Sequence, residues 1–408
     1  MKNLFGKQPI LLPKNVDFSK WAVIACDQYT TNMDYWDQLY SYIGDAPSTL
    51  HLIFPEIFLK EKNIDGRIDK INKTMKEYFE SGLFREVPGM VLVERTLSDG
   101  KKRVGLVLSV DLEAYEYRKK DVPIRATEAT IVERLPVRMK IKENASIELP
   151  HILLLIDDKK KEIIEPLYEH RAEFEKLYDF TLNQNGGHVR GYHIEKTEEI
   201  ENKFLALLDE KTQIEKYGYD AGILFAVGDG NHSMASAKEH WNIIKQGLTE
   251  EERKNHPARY ILVEVVNLYQ SAMDFEPIHR VVMNCDVPDF IGELKKVLSG
   301  KGELVVVTED GKQTLACPTE ASETIKKVQD FLISYRKDHD VVIDYEHSAE
   351  QVLSLATQKN AVGILMPTFD KAGLFNYIVH SGNLPQKSFS IGTEDTKKYY
   401  IEAKRIVL

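Results

Sequence analysis

The sequence has few cysteines and no long apolar run. Its three cysteines, Cys26, Cys285 and Cys317, are odd in number and far apart, which argues against a disulfide framework and indicates a reducing compartment. Apolar stretches such as residues 152–156 are much shorter than the ~20 residues that a membrane-spanning helix needs. The N-terminal residues include lysines but lack the apolar segment of an export signal. We therefore expect a cytoplasmic protein without a membrane span.

Positive charge is also in deficit. Lysine and arginine number 54 against 64 aspartates and glutamates, which gives a formal net charge of −10. Proteins that bind nucleic acids usually neutralise phosphates with clustered basic residues, so this balance disfavours a nucleic-acid partner. The most basic segment, 118–142, interleaves acidic residues with the basic ones. It is more typical of a solvated amphipathic segment, although a local basic patch stays open.

Length and pattern predict a multi-domain protein of mixed α/β (α+β) class. At 408 residues the chain is too long for one ordinary core. Two β-rich runs, 90–97 and 103–110, flank a Ser-Asp-Gly turn and predict a β-hairpin. We expect three domains: an N-terminal α+β domain that contains the hairpin (1–150), a central α+β domain (151–275) and a C-terminal mixed α/β domain (276–408).

Periodicity predicts the elements of the last two domains. In the central domain it predicts strands at 151–158, 222–227 and 259–268, helices at 159–178 and 232–246, and a flexible glycine-rich loop around 183–193. In the C-terminal domain it predicts helices at 288–299, 322–336 and 348–358 and strands at 303–308, 340–345 and 361–366. The last strand, helix and strand are close enough for a crossover unit.

One stretch combines a buried-looking strand with polar residues at a helix start. It reads GILFAVGDGNHSMASAKEHW, residues 222–241. A strand, a glycine-containing turn and a helix N-terminus form a common anion site, because free backbone N–H groups and the helix dipole point at one spot. Gly228 and Gly230 allow a tight turn and a close approach to a ligand. The stretch is neither a Walker loop nor a dinucleotide fingerprint.

Two polar side chains in this stretch suggest chemistry. A carboxylate such as Asp229 repels phosphate, unless a divalent cation such as Mg²⁺ lies between them. His232 could donate to a phosphate oxygen or act as an acid or base. The alternative is structural: an Asp or Asn before a helix is first of all an N-cap, and His232 could bond backbone. Spacing alone does not decide between these interpretations.

Four ordered motifs resemble those of the domain of unknown function 1015 family. Asp229-Gly230 matches its D-G-H-H-R motif, and Arg125, Glu128 and Thr130 match its R-x-H-E-x-T segment. The other matches are Pro277, His279 and Arg280 to L-P-x-H-R, and Pro385, Lys387 and Ser388 to M-P-x-K-S-T. The D-G-H-H-R segment in turn looks like the nucleotide-phosphate segment of ParB/sulfiredoxin-like folds, which implies a central unit of that kind.

The sequence also departs from the family pattern. Thr127 stands where the family commonly has His, and Asn231-His232-Ser233 stands where it has His-His-Arg. An arginine clamps phosphate with two parallel hydrogen bonds, which Ser233 cannot do.

Together these features favour a protein that binds a nucleotide or another phosphorylated small molecule with Mg²⁺. The expected reaction is phosphoryl transfer or hydrolysis, as in a kinase-like phosphotransferase or a phosphohydrolase. Asp229 would hold the metal, His232 would assist proton or charge transfer, and Glu128 would be the general base. The ligand-binding residues would be Gly228, Gly230, Asn231, Ser233, Arg125, His279, Arg280 and Lys387. The alternative is a non-catalytic, nucleotide-responsive switch protein, and turnover would distinguish the two.

Overall fold

A computed structural model describes residues 4–26, 29–30, 32–59, 61–118, 121–129, 135–149 and 151–408. The chain forms two compact units, one of residues 1–273 together with 394–408 and one of residues 274–393. Among the described helices, none is both long enough and apolar enough to cross a membrane. The cysteines Cys26, Cys285 and Cys317 carry free thiols.

The first unit is built around a mixed eight-stranded sheet. Up to residue 267 the unit contains twelve described strands, eight of which form this sheet. They are β1 (Ile10–Pro13), β2 (Val23–Ile24), β3 (Phe84–Val87), β4 (Met90–Thr96), β5 (Lys102–Asp111), β6 (Ile124–Ala126), β7 (Ile147–Glu148), β8 (Leu153–Ile156), β9 (Lys176–Thr181), β10 (His188–Ile194), β11 (Phe225–Asp229) and β12 (Tyr260–Asn267). The large sheet has the order β6-β11-β8-β12-β5-β4-β10-β9. Within it, β6 runs parallel to β11 and β8 runs parallel to β12.

Both faces of this sheet are covered. Along β4 and β5, Leu92 and Leu106 belong to one hydrophobic cluster, whereas Val91 and Val107 belong to another on the opposite face. Alternate side chains of a strand point to opposite faces, so nearly continuous apolar runs are needed when both faces are buried. This is the reason why the strands of this sheet contain so many Val, Leu and Ile residues.

The first unit also contains nine described α-helices. They are α1 (Phe18–Trp21), α2 (Met33–Ile43), α3 (Ile64–Glu80), α4 (Leu135–Glu143), α5 (Ile164–Glu169), α6 (Glu198–Ala206), α7 (Glu210–Tyr217), α8 (Asn231–Ile244) and α9 (Glu250–Asn255). Helix α8 places Met234, Ala235 and Trp241 in the same cluster as Leu92. That packing fixes the direction in which the start of α8 leaves the sheet.

The second unit contains an antiparallel five-stranded sheet with helices. Its elements are β13 (Phe275–Glu276), β14 (His279–Met283), α10 (Val287–Val297), β15 (Gly302–Thr308), β16 (Gly311–Cys317), α11 (Ala321–Asp338), β17 (Val342–Glu346), α12 (Ala349–Ala356), β18 (Ala361–Leu365), α13 (Leu374–Ser381) and β19 (Ser390–Ile391). The sheet order is β16-β15-β18-β14-β17. The predicted crossover from β17 through α12 to β18 is therefore present, and strand β14 lies between β17 and β18 in the sheet.

The C-terminal residues return to the first unit and add two short strands. These are β20 (Tyr399–Tyr400) and β21 (Lys404–Arg405). The first pairs with β2 and the second with β7. This return brings residues 394–408 beside parts of the chain that are hundreds of positions away in sequence.

Most predicted elements are confirmed, and two are wrong. The mixed α/β class, the hairpin of β4 and β5 and the helices and strands of 288–366 are present. The predicted helix at 159–178 shrinks to α5, because residues 176–181 pair as strand β9 instead. The predicted flexible loop around 183–193 is mostly strand β10, which pairs with both β9 and β4. Its adjacent glycines, Gly186 and Gly187, lie in the turn before β10.

The grouping of the chain into units involves residues far apart in sequence. Strands from both sides of residue 150 share the large sheet, and the second unit begins at Asp274, close to the boundary expected after residue 275. The structure therefore groups the chain as two units where the sequence pattern favours three domains.

Candidate functional site

Three segments of the first unit meet at one edge of the large sheet, by which we mean the side where strands β6 and β11 end and strand β8 begins. Strands β6 and β11 are parallel, with Ala126 opposite Val227, so both end at this edge. Strand β8 is antiparallel to β11, with Leu153 opposite Asp229, and therefore begins there. Polar residues that follow β6 and β11 or precede β8 are brought together by this register.

The turn after β11 needs a glycine. Gly230 has a φ of 83°, in the left-handed region, and a Cβ there would lie 3.0 Å from Cγ1 of Ile152. As the N-cap of α8, Gly230 offers no side chain to cap the helix. Among the described residues, no hydrogen bond uses the backbone N–H of Asn231 or Ser233. These groups, together with the helix dipole, form a positive end that opens at the sheet edge.

Asp229 has a partner for each of its carboxylate oxygens. Its Oδ1 accepts a hydrogen bond of 2.8 Å from the backbone N–H of Gly230. Its Oδ2 lies 3.2 Å from Nζ of Lys397, whose side chain is 9% exposed while that of Asp229 is 30% exposed. The preceding Gly228 lies where the pairing of β11 with β8 shifts register. Asp229 is therefore half of an ion pair at the start of α8.

A buried arginine holds the segment that carries Lys397. The guanidinium of Arg95 donates to the carbonyls of Asp395 (2.6 Å), Thr396 (3.0 Å) and Lys397. Burial lowers the pKa of Arg95 to about 9. Because Arg95 binds three consecutive carbonyls, it fixes the backbone from which the Lys397 side chain extends.

Two of the three departures from the family pattern, Thr127 and Asn231, contact each other. Oγ1 of Thr127 donates to the carbonyl of Val227 (2.6 Å) and accepts from Nδ2 of Asn231 (3.2 Å). The Oδ1 atom of Asn231 is buried and has no hydrogen-bond partner among the described residues. A buried acceptor without a partner is uncommon, and this one lies at the first position of α8.

A second chain of polar contacts begins at Ser233. Its Oγ lies 3.5 Å from Nε2 of His151, and Nδ1 of His151 lies 3.0 Å from Oη of Tyr400. That oxygen in turn lies 3.1 Å from Sγ of Cys26. Cys26 follows β2, and Tyr400 pairs with Val23 of that strand. The Ser233 hydroxyl, the His151 imidazole and the Tyr400 phenol thus contact one another in succession, beginning at the start of α8.

Two further predicted residues adjoin this edge. Glu128 directly follows Thr127, and His232 occupies the first turn of α8, where its carbonyl accepts from Oγ of Ser236 (2.7 Å). Arg125 has a different setting. Its guanidinium donates to the carbonyls of Val122 (3.1 Å) and Ala221, which precede β6 and β11, at the ends opposite to Asp229. Burial lowers its pKa.

The other motif residues belong to the second unit. Nδ1 of His279 accepts from the backbone N–H of Met366 (3.0 Å), and burial, aided by the charge of Arg280, lowers the pKa of His279. Arg280 is fully buried and donates to the carbonyl of Lys387 (2.8 Å). Two of the sequence motifs thus meet within this unit. Thr130, which also matched the family, lies outside the described residues.

Sequence reasoning did not identify three residues at the sheet edge. These are Lys397, His151 and Tyr400. His151 is the first residue of the predicted strand 151–158, much as Asp229 ends a strand, and this polar position beside an apolar run could have indicated it. Lys397 and Tyr400 lie in a polar tail without a local signal, because only the pairing of β20 with β2 brings them here.

No metal site is complete among the described residues. They contain no group of three or more His, Cys, Asp or Glu side chains that could hold an ion. Near the start of α8, the available oxygen donors are the Asp229 carboxylate, Oδ1 of Asn231 and the Ser233 hydroxyl.

Comparison with known proteins identifies the family. The family described as "Protein of unknown function (DUF1015)" matches residues 10–359, and the chain belongs to it. None of the curated proteins shows significant sequence similarity to the chain.

Solved structures resemble the chain only at a low level. A conserved hypothetical protein from Pyrococcus furiosus is 11% identical, with a TM-score of 0.36 over 69% of this chain and 89% of its own. A free serine kinase in complex with AMP is 10% identical, with a TM-score of 0.39 over 74% and 92%. SbnI with a C-terminal truncation, from Staphylococcus aureus, is 10% identical, with a TM-score of 0.40 over 74% and 87%. The ParB/sulfiredoxin-like unit stays a prediction.

Proposed function

We propose that this family member binds a nucleotide or another phosphorylated small molecule at the turn between β11 and α8, and transfers or hydrolyses its phosphoryl group. The observation that carries the proposal is the position of Lys397. Its ammonium, with a side chain only 9% exposed, lies at the uncapped N-terminus of a helix of 14 residues. An ammonium and free N–H groups at one spot favour an anion with several oxygens.

The ion pair with Lys397 explains why Asp229 is compatible with a phosphate ligand. A lone carboxylate would repel phosphate, but the Lys397 ammonium neutralises this one. The pair can then rearrange so that Lys397 also contacts a phosphate oxygen while Asp229 keeps its hydrogen bond from Gly230. The Ser233 hydroxyl adds a donor for other polar groups of the ligand, and Oδ1 of Asn231, which has no partner among the described residues, adds an acceptor.

The residues present do not fit a Mg²⁺ site that the protein builds alone. Both oxygens of Asp229 have partners, and the described residues contain no group of three or more His, Cys, Asp or Glu side chains that could hold the ion. Mg²⁺ commonly binds through one or two carboxylates together with substrate phosphates and water. We therefore infer that the ion enters on the phosphates of the ligand, with Asp229 as its nearest carboxylate. The positive charge that the protein itself supplies for the phosphate is the ammonium of Lys397.

The remaining roles follow from position. Glu128 would accept the proton of an acceptor hydroxyl or water, because it lies two residues beyond β6, which ends beside the start of α8. His232, in the first turn of α8, would donate to a phosphate oxygen. Most of the catalysis of phosphoryl transfer is positioning and charge neutralisation, which are what this turn and Lys397 offer.

The test is thermal stabilisation by nucleotides and by sugar and amino-acid phosphates, each with and without Mg²⁺. A ligand at ~100 times its dissociation constant adds about 2.7 kcal/mol of stability. We expect a shift for the wild type that is reduced in Asp229→Ala and Lys397→Met. Lys159→Met, which removes an exposed lysine from the same unit, is the matched control. The absence of a shift with every phosphate would reject the proposal.

Turnover then separates the enzyme from a non-catalytic switch. An enzyme should release phosphate or phosphorylate an acceptor at a rate that falls in Glu128→Gln while ligand affinity is kept. Tight binding without turnover, with any acceptor tried, would favour the nucleotide-responsive switch.

A further inference from the structure

We propose that Ser233 is a nucleophile that takes the phosphoryl group, with His151 as its general base and Tyr400 as the residue that positions His151. The inference rests on the proposed function, because it needs a phosphoryl donor bound at the start of α8. It adds a covalent intermediate and a catalytic histidine that lies 82 positions before Ser233.

The geometry pairs a hydroxyl that is accessible with a base that is sheltered. Ser233 is partly exposed in the first turn of α8, whereas His151 is 8% exposed. The 3.5 Å between Oγ and Nε2 is longer than the roughly 2.6–3.2 Å of a working nucleophile–base pair. A small rotation of the serine about χ1 can shorten it when a ligand fills the turn.

Tyr400 sets the orientation of the imidazole. Its ring packs edge-on against that of His151, with centroids 5.5 Å apart and planes at 88°. When the Tyr400 hydroxyl donates to the Cys26 sulfur, its oxygen accepts from Nδ1–H of His151. The nitrogen that faces Ser233 is then Nε2 without a proton, as a general base requires. A serine, a histidine and a third orienting group form the usual arrangement of an activated hydroxyl.

The proposed step is a displacement at phosphorus. Oγ of Ser233 attacks the γ-phosphorus of a bound nucleoside triphosphate, and the bond to the β–γ bridging oxygen breaks. The nucleoside diphosphate leaves with that electron pair, and the serine proton passes to Nε2 of His151. The product is phosphoserine at a helix N-terminus, where Lys397 and the N–H groups stabilise its charge. Glu128 would then serve the second transfer, to an acceptor or water.

The experiment uses the full-length protein and Mg²⁺ with ATP labelled at the γ-phosphate. Intact-mass analysis detects one added phosphoryl group, and peptide mapping locates it. An acid-stable label indicates a phosphoserine, whereas phosphohistidine is acid-labile. Affinity for an ATP analogue with a nitrogen bridge between the β- and γ-phosphates is measured in parallel, for each variant.

We expect an acid-stable label at Ser233 in the wild type and in Ser354→Ala, a control at an exposed serine. Ser233→Ala should take no label, and Ser233→Thr should label slowly. His151→Asn should lower the labelling rate constant by about 100-fold or more, and Tyr400→Phe by less. Both should keep the analogue affinity of the wild type. This separation of rate from affinity would not follow from a purely structural role.

The possible failures are distinguishable. If the analogue binds but Ser233 takes no label, or the label forms elsewhere, the covalent step is overturned and the proposed binding function stands. If labelling of Ser233 is as fast in His151→Asn as in the wild type, His151 is not the base. If the analogue does not bind to any variant, the proposed function fails and this inference fails with it.

Discussion

The ammonium of Lys397 lies 3.2 Å from Oδ2 of Asp229, and the two residues are 168 positions apart in sequence. The pair places one positive charge of low exposure at the start of α8. Lys387, the lysine that the sequence motif indicates, belongs to the second unit, where its backbone carbonyl accepts a hydrogen bond from Arg280. The contributions of Lys397 and Lys387 to ligand binding can therefore be tested separately.

Replacing Lys397 by methionine should weaken phosphate binding. A hydrogen bond to a charged group contributes about 1.5–3 kcal/mol, so we expect the dissociation constant to rise roughly 10- to 100-fold. Calorimetric titration of the ligand found by the thermal panel measures this change. Lys159→Met should leave the affinity unchanged, and Lys387→Met tests the motif lysine separately. An unaltered affinity in Lys397→Met would remove Lys397 from the site.

Replacing Thr127 by valine should destabilise the first unit at nearly constant volume. The change leaves the carbonyl of Val227 and Nδ2 of Asn231 without the Thr127 hydroxyl. Because Thr127 is fully buried, we expect a loss of about 1–3 kcal/mol in the free energy of unfolding. Urea unfolding measures it, and Thr127→Ser, which keeps the hydroxyl, should lose less. Equal stability of the valine variant and the wild type would contradict this account.

The buried carboxylate of Glu264 should make stability fall in acid. Burial by itself raises the pKa of Glu264, but the charges of Lys398, 2.6 Å away, and of Arg103 outweigh it, so that the pKa is lowered. A lowered pKa in the folded state means that the stabilisation is complete above the unfolded value of about 4.3. It is lost as the pH falls through the folded value.

The variant Glu264→Gln isolates this contribution. At neutral pH it leaves the buried Lys398 without its nearest carboxylate, and we expect a loss of about 3–5 kcal/mol. The difference in unfolding free energy between wild type and variant should shrink as the pH falls below the unfolded value. A difference that stays constant from pH ~7 to pH ~3 would show that Glu264 does not gain its charge stabilisation from Lys398 and Arg103.

Replacing Arg280 by methionine should affect stability more than binding. Arg280 is fully buried, and its guanidinium donates to Gln329, to Ile278 and to the carbonyl of Lys387. Loss of these bonds leaves several buried acceptors unpaired, so a decrease of about 2–4 kcal/mol is expected. Thermal unfolding measures it, and ligand affinity below the transition should equal that of the wild type. A large loss of affinity in the folded variant would instead support the ligand-binding role that the family motif suggests.

The sequence by itself determined the local elements and the family. The alternating runs around Ser98-Asp99-Gly100 specify the hairpin, and the turn of Gly228-Asp229-Gly230 specifies the change from strand to helix, because both depend on neighbours within a few residues. It failed at 159–178, where charged residues fit a helical pattern but residues 176–181 gain more by pairing with β10. Pairing of this kind is non-local, and propensity does not reveal it.

Only the tertiary structure decided which residues share the candidate site. His151 reaches Ser233 because β8 begins at the edge where β11 ends. Lys397 and Tyr400 belong to the C-terminal segment. They lie at the site because β20 pairs with β2 and because Arg95 binds the carbonyls of Asp395 and Thr396, which precede β20. The physical reason is that the cluster is assembled by sheet register and by one buried guanidinium, whereas a sequence motif reports only residues that are close along the chain.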